Sequence, residues 1–360
     1  MDRRSFLKTS TAAAVSQVFP VSHATAASGW RIYETTTRVE MQWPKGVSRA
    51  WIPLPLVGDT DWHKTIGSAW SGNAARAEVL RDGKYGISML YAEWRDSAAL
   101  PAIEVTSRFM TRERAVDFSR PDAAVADLSA ADRAFFTAPT DLIPTDGIVR
   151  KTAQKIAGGA KSDIEKARTL YEWVVDNTFR DPKTRGCGWG DIKSMLETGH
   201  LGGKCGDLNA LFVGFARSLG VPARDVYGVR VASSDHGYRS LGIGTPNATR
   251  AQHCRAEFFA RGHGWVPVDP GDVRKVVLEE PPGNLPLKDA KVEAARKRLF
   301  GGWEMNWLAY NMGHDVKLPH SSGPKLPYLM YVNAETGGEM LDQLDPDSIK
   351  YSIAAREIRA

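Results

Sequence analysis

Between Leu208 and Leu219 the apolar residues recur three or four positions apart, at Leu208, Leu211, Phe212, Phe215 and Leu219. That spacing marks one buried face of a helix. Gly220-Val221-Pro222 closes it, with glycine just past the end and proline shortly after. A second helix is predicted over Asp163 to Asn177, where Ile164, Ala167, Leu170, Tyr171 and Val174 form a stripe and Ser162 stands as cap. The stripe reads as core rather than as a cofactor-binding face. Earlier in the chain the pattern changes. Arg31 to Glu40, Tyr85 to Tyr91 and Ala102 to Phe109 are rich in β-branched and aromatic residues, with glycine and proline between them. They predict a small antiparallel β domain over about residues 30–111. Pro121 to Pro144 reads as a connector with short helical pieces. Further strands are predicted over Arg224 to Val231, Gln252 to Ala260 and Trp265 to Asp269, the last two joined through Arg261-Gly262-His263-Gly264. Ser233 to Arg250, rich in glycine and serine, reads either as a gating loop or as a disordered connector.

Candidate chemistry lies at the joints of these elements. Cys205 sits at a helix start, in Gly202-Gly203-Lys204-Cys205-Gly206-Asp207. A thiol in the first turn meets unpaired N–H groups and the positive end of the helix dipole, and both favour thiolate. His253 opens the first hairpin strand and Asp269 closes the second, before Pro270. An odd number of loop residues, such as Arg261 to His263, puts His253 in register with Gly271 and leaves Asp269 as a diagonal neighbour on its face. An even number puts Asp269 on the opposite face. Cysteine, histidine and aspartate together form a base-assisted nucleophile: imidazole takes the thiol proton, and carboxylate fixes the tautomer and steadies the imidazolium. Taken singly, each has a bland reading, as packed hydrophobe, satisfied strand histidine and turn former.

The joint pattern resembles the transglutaminase-like superfamily of papain-related thiol enzymes. The resemblance rests on Gly203-Lys204-Cys205 followed by Gly220-Val221-Pro222-Ala223-Arg224, and on His253, Glu257, Gly262 and Gly264-Trp265-Val266-Pro267-Val268-Asp269-Pro270. Weaker similarity to bacterial exported members extends to Trp51-Ile52-Pro53-Leu54-Pro55 and Met305 to Asn311. It implies an α+β fold with a papain-like core, in which the nucleophile helix packs on an antiparallel sheet, together with the N-terminal β domain. The expected partition is a signal peptide over 1–26, the β domain over 27–115, a connector over 116–150, a catalytic domain over 151–315 and a C-terminal extension over 316–360. The implied catalytic residues are Cys205, His253 and Asp269. The backbone N–H of Cys205 is the first oxyanion donor expected at a helix start. Trp189 and Gln252 are candidates for the acyl pocket or the second donor, and the sequence does not choose between them.

The N-terminus adds a location. Arg3-Arg4-Ser5-Phe6-Leu7-Lys8, a modest Ala- and Thr-rich run and Ala24-Thr25-Ala26 look like a twin-arginine signal with its cleavage site. A folded protein in the periplasm or medium is expected, passing through the twin-arginine machinery. No membrane span is expected, because nowhere do about eighteen apolar residues run uninterrupted. The formal charge of +5 over 360 residues comes without the clustered basic stripe that nucleic-acid binding needs. Three cysteines leave Cys187 and Cys254 as a candidate disulfide if Cys205 is free, with Cys254 facing away from His253. No metal is expected, since neither repeated Cys-x-x-Cys nor His-Glu-x-x-His occurs, and no cofactor is expected. Gly-x-Ser-x-Gly is also missing, which argues against a serine hydrolase. The function expected is therefore a thiol amidase or peptidase working through a thioester acyl-enzyme on a peptide or protein substrate, cell-wall peptide among them. The alternatives are transfer to an amine, as in a true transglutaminase, and a non-catalytic scaffold in the cell envelope.

Overall fold

The computed structural model describes residues 29–95 and 100–358; the expected signal segment lies outside the described residues. Two antiparallel sheets are built from both ends of the chain. One has the order Ile349–Ile358, Arg31–Met41, Ala102–Thr111, His63–Gly72. The other runs Glu339–Met340, Asn333–Thr336, Ser48–Pro53, Ser88–Trp94, Arg76–Arg81. Their facing sides share one core, in which Val39, Met41, Ile103 and Val105 of the first meet Ile52, Leu90, Trp94 and Ala334 of the second. The alternation predicted from sequence is visible in Ala102–Thr111, where buried and half-buried positions strictly alternate. Residues of the expected C-terminal extension over 316–360 supply three strands to these sheets, so they pack with the N-terminal strands as one β unit.

The other half contains a third antiparallel sheet, ordered Gly264–Val268, Gln252–Ala260, Ala223–Arg230, Trp307–Asn311. Against it lies the central helix Cys205–Ser218, with helices Gly147–Ala157, Asp163–Asn177 and Pro270–Glu279 also packed on it. Mixed helices and antiparallel sheets of this kind are the α+β arrangement expected. Helix Asp163–Asn177 has the predicted bounds, and the Ser162 hydroxyl accepts from the Glu165 N–H at 3.1 Å.

The central helix departs from expectation in one respect. It is buried on all sides rather than along one face, and even Asp207, Asn209, Arg217 and Ser218 are covered. Small residues make this possible. A Cβ on Gly206 would lie 2.7 Å from the Cys187 carbonyl oxygen, and one on Gly214 would strike Ile192. The apolar stripe therefore packs on the sheet side, while glycines let the 187–192 segment close over the other side. Ser233 to Arg250 is also tied down: the Glu280 carboxylate accepts from the Ser240 N–H and hydroxyl, and Asn306 donates to the Leu241 carbonyl.

Leu211 is fully buried in this core. Leu211→Ala should cost about 2–5 kcal/mol, read as a lower urea midpoint at unchanged m-value. A change under about 0.5 kcal/mol would contradict the packing described.

Candidate active site

The central helix presents Cys205 at its first turn. The Asp207 carboxylate locks that turn by accepting from the Lys204 N–H at 2.9 Å and from the Gly190 N–H at 2.9 Å. The Gly206 N–H donates to the Cys187 carbonyl at 2.8 Å, so the 187–190 segment is strapped to the helix start. Gly188, at φ +87°, leaves no room for a Cβ against Asp207.

His253 arrives on the neighbouring strand. The hairpin loop has three residues, because Ala260 pairs with Gly264. This is the odd length that places Asp269 within reach of His253. Asp269 itself is not in the strand. The strand ends at Val268, and Asp269 caps the helix Pro270–Glu279, accepting the Asp272 N–H at 2.9 Å, with Pro270 in the first helical position. Asp-Pro is a helix-start signal as well as a strand stop, and here it serves as both.

Cys205, His253 and Asp269 are all buried, with 4%, 3% and 0% of their surfaces exposed. The His253 imidazole is near enough to Cys205 for its charge to lower the thiol's pKa. Its Nε2 lies 2.7 Å from Asp269 Oδ2. Asp272 Oδ2 approaches the same nitrogen to 3.3 Å and is held by Arg230 through contacts of 2.6 and 2.8 Å. Arg255 Nε stands 3.7 Å from Asp269 Oδ2. Asn209, one turn after Cys205, joins the pieces: its amide donates to the Cys254 carbonyl at 2.8 Å and to Asp269 Oδ1 at 3.2 Å. Asp272, Arg230, Arg255 and Asn209 were missed from sequence. Asp272 alone had a local signal, an acid three residues after a capping aspartate.

The electrostatics favour separated charge. The neighbouring S–H groups of Cys187 and Cys254, then the charge and hydrogen bond of His253, hold the Cys205 thiol well below the usual thiol range against the opposing effect of burial. Burial and Arg230 pull the His253 imidazolium down, but Asp272, Asp269 and the Cys205 sulfur together raise it to about 9. Burial and the charge of Asp272 raise Asp269, whereas Arg230 and His253 hold Asp272 well below the carboxylate range despite burial. A thiolate beside an imidazolium is thus the favoured state from the depressed Cys205 value up to about pH 9.

The other candidates separate. Trp189 is 67% exposed and lines a small crevice with Gly190, Gly206, Tyr227, His314 and Tyr328, so it borders the nucleophile turn without being core. The Gln252 amide donates to the Tyr351 hydroxyl at 3.4 Å. Cys187 and Cys254 are free thiols, and no disulfide joins them. Cys254 nonetheless comes close to the nucleophile: its sulfur, that of Cys187 and that of Cys205 all lie within 4.8 Å of one another. Alternation does separate Cys254 from His253 across the strand, but the helix start abuts the strand at Cys254, so both neighbours reach Cys205. Among the described residues, His253, Asp269 and Asp272 form a second close group of ligand-type atoms. There Arg230 already neutralises one carboxylate, and that donor set does not suit a resident cation. Glu257, the other acid of the motif, pairs with Arg224 at 2.7 Å and with Arg114, and holds strand to strand.

Residues 150–270 match the family profile described as the transglutaminase-like superfamily. Over 345 residues the chain is 35% identical to a Haemophilus influenzae protein, itself uncharacterized, covering 91% of this chain and 92% of that one. The chain belongs to the transglutaminase-like superfamily. Its members are typically cysteine-based acyl transferases or peptidases. A solved structure described as a candidate cysteine protease from Cytophaga hutchinsonii shares the fold at TM-score 0.57 and 12% identity, over 92% of each chain. The periplasmic domain of TgpA from Pseudomonas aeruginosa aligns at TM-score 0.35 and 13% identity over 76% of this chain and 94% of that one, too distant to add to the fold assignment.

The charge-separated pair predicts iodoacetamide labelling of Cys205 well below pH 8. His253→Ala removes the imidazolium charge and should lower the labelling rate at pH 6 by about tenfold or more, one pH unit of thiol titration. Equal rates in the two proteins would refute the pairing.

Proposed function

We propose that this transglutaminase-like protein is an exported thiol amide hydrolase or acyl transferase, acting on a peptide or protein. The observation that carries the reading is the burial of Cys205, His253 and Asp269 together, with His253 Nε2 2.7 Å from Asp269 Oδ2. Cys205 thiolate attacks an amide carbonyl, and the carbonyl π electrons move onto oxygen. The helix-start N–H of Cys205 faces the developing oxyanion. His253 imidazolium protonates the leaving amine as the tetrahedral intermediate collapses to a thioester. Neutral His253 then takes a proton from the acceptor, which attacks the thioester and releases Cys205. Asp269 holds the ring and stabilises its charged form, with Asp272 and Arg230 behind it. Trp189, exposed and close to the nucleophile turn, is the candidate for contact with the acyl chain.

Water is the preferred acceptor, since nothing in the chain marks an amine site. Location supports cell-wall peptide as a substrate class. The twin-arginine pattern at Arg3-Arg4 supports delivery to the periplasm or medium. Among the described residues no helix is long and apolar enough to cross a membrane.

A peptide-mixture probe should trap a thioester on Cys205 by mass spectrometry, and Cys205→Ala should abolish it. Never trapping one from the folded wild-type chain would favour a scaffold. With a substrate in hand, Asp269→Asn should lower turnover by roughly 10²–10⁴-fold, as expected when the ring loses its orienting carboxylate. Adding a primary amine should leave hydrolysis dominant; a quantitative switch to the amide product would make the protein a transglutaminase proper. Replacing Arg3 and Arg4 together by lysine should retain the protein in the cytoplasm on cell fractionation, and unchanged export would remove the location assigned.

A further inference from the structure

The three cysteines of the chain lie apart in sequence, yet their sulfurs form one buried group within 4.8 Å. Catalysis of amide chemistry needs one thiol. The other two are free, and their setting differs. Cys254 is fully buried in the sheet, its Sγ 3.9 Å from Met330 Sδ. Cys187 is 6% exposed, in a segment where Gly186, Gly188 and Gly190 all have positive φ. Its Sγ lies 3.4 Å from the Gln252 carbonyl oxygen. The Gly206 N–H bond to the Cys187 carbonyl sets the Cys187 backbone directly beside that of Cys205. A disulfide requires the sulfurs to close to about 2.05 Å with ordinary side-chain torsions. Cys187 lies outside the helices and strands, where its side chain can turn toward the neighbouring Cys205, whereas Cys254 is held inside a four-stranded sheet that resists such adjustment.

We infer that Cys187 is a resolving cysteine, which captures an oxidised Cys205 as a reversible Cys187–Cys205 disulfide and so makes the site peroxide-sensitive. The Cys205 thiolate attacks one oxygen of hydrogen peroxide; the O–O bond breaks, and the departing hydroxide leaves as water with a proton from His253. Cys205 is now a sulfenic acid, oxidised by two electrons. The Cys187 sulfur, giving up its proton, attacks the Cys205 sulfur. The S–O bond breaks, a second water leaves, and the disulfide forms. A dithiol returns both thiols. The linkage covers the nucleophile and halts acyl transfer, while protecting Cys205 from the irreversible sulfinic state. The inference rests on Cys205 being the reactive thiolate of the proposed function, but not on any amide substrate.

The test uses the full folded chain, reduced, desalted and exposed to a small excess of hydrogen peroxide. Denaturing alkylation should then find the free thiols reduced from three to one. Non-reducing peptide mapping should join the peptide of Cys187 to that of Cys205, and dithiothreitol should restore all three. Cys254→Ser should still form the link. Cys187→Ser should instead accumulate sulfinic acid on Cys205 that dithiothreitol does not reverse. Wild-type protein that forms sulfinic acid without a link, or a link that includes Cys254, would overturn the inference. Peptide mapping reads the linkage independently of acyl trapping, so a linked protein that never traps an acyl group loses the proposed function alone. A protein that traps acyl groups but never links loses only this inference.

Discussion

Buried charges of opposite sign hold the site together. Around His253 lie Asp269 and Asp272 on the negative side and Arg230 and Arg255 on the positive side. Each ion taken alone would cost several kcal/mol to strip of water. Placed together, Asp269 meets His253 at 2.7 Å and Asp272 meets Arg230 at 2.6 Å. The pair at the centre can exist only because the shell around it balances. That shell spans the central helix, two strands of the sheet and the helix beginning at Pro270, so the site works as a joint between elements rather than as a property of one loop.

The second constraint is proximity without bulk. Gly188, Gly206 and Gly214 let the 187–192 segment lie flat on the central helix, and the Asp207 carboxylate stitches it there. A helix buried on every side can then carry polar residues such as Asn209 inward, where they fasten the strand of His253 to the cap at Asp269. Arg224 and Glu257 face each other across paired strands and perform the same fastening further from the sulfur.

Much of this was legible along the chain. The helix over Asp163–Asn177 followed from periodicity, the strands opening near Arg31 and Arg224 from their composition, and the nucleophile turn from its glycines. The hairpin length was legible only as a condition, because parity of a loop does not follow from its composition. What stayed hidden depends on long-range placement. Nothing local in Arg230 or Asn209 says which carboxylate each will meet, and Asp-Pro at 269–270 carries two meanings until the fold selects both. The clustering of three distant sulfurs was hidden for the same reason: cysteine spacing reports metal and disulfide motifs only when the ligands are local.

The outermost pairing has a consequence for how the molecule is made. Arg31–Met41 is flanked on one edge by Ala102–Thr111, but its other edge is covered by Ile349–Ile358, the last strand of the chain. Strands so distant in sequence meet slowly, so that edge stands bare through the early stages of folding. An uncovered edge of this kind invites pairing with another chain. Closure of the β unit therefore comes late, and shielding the early strands until then would raise the yield of folded molecules.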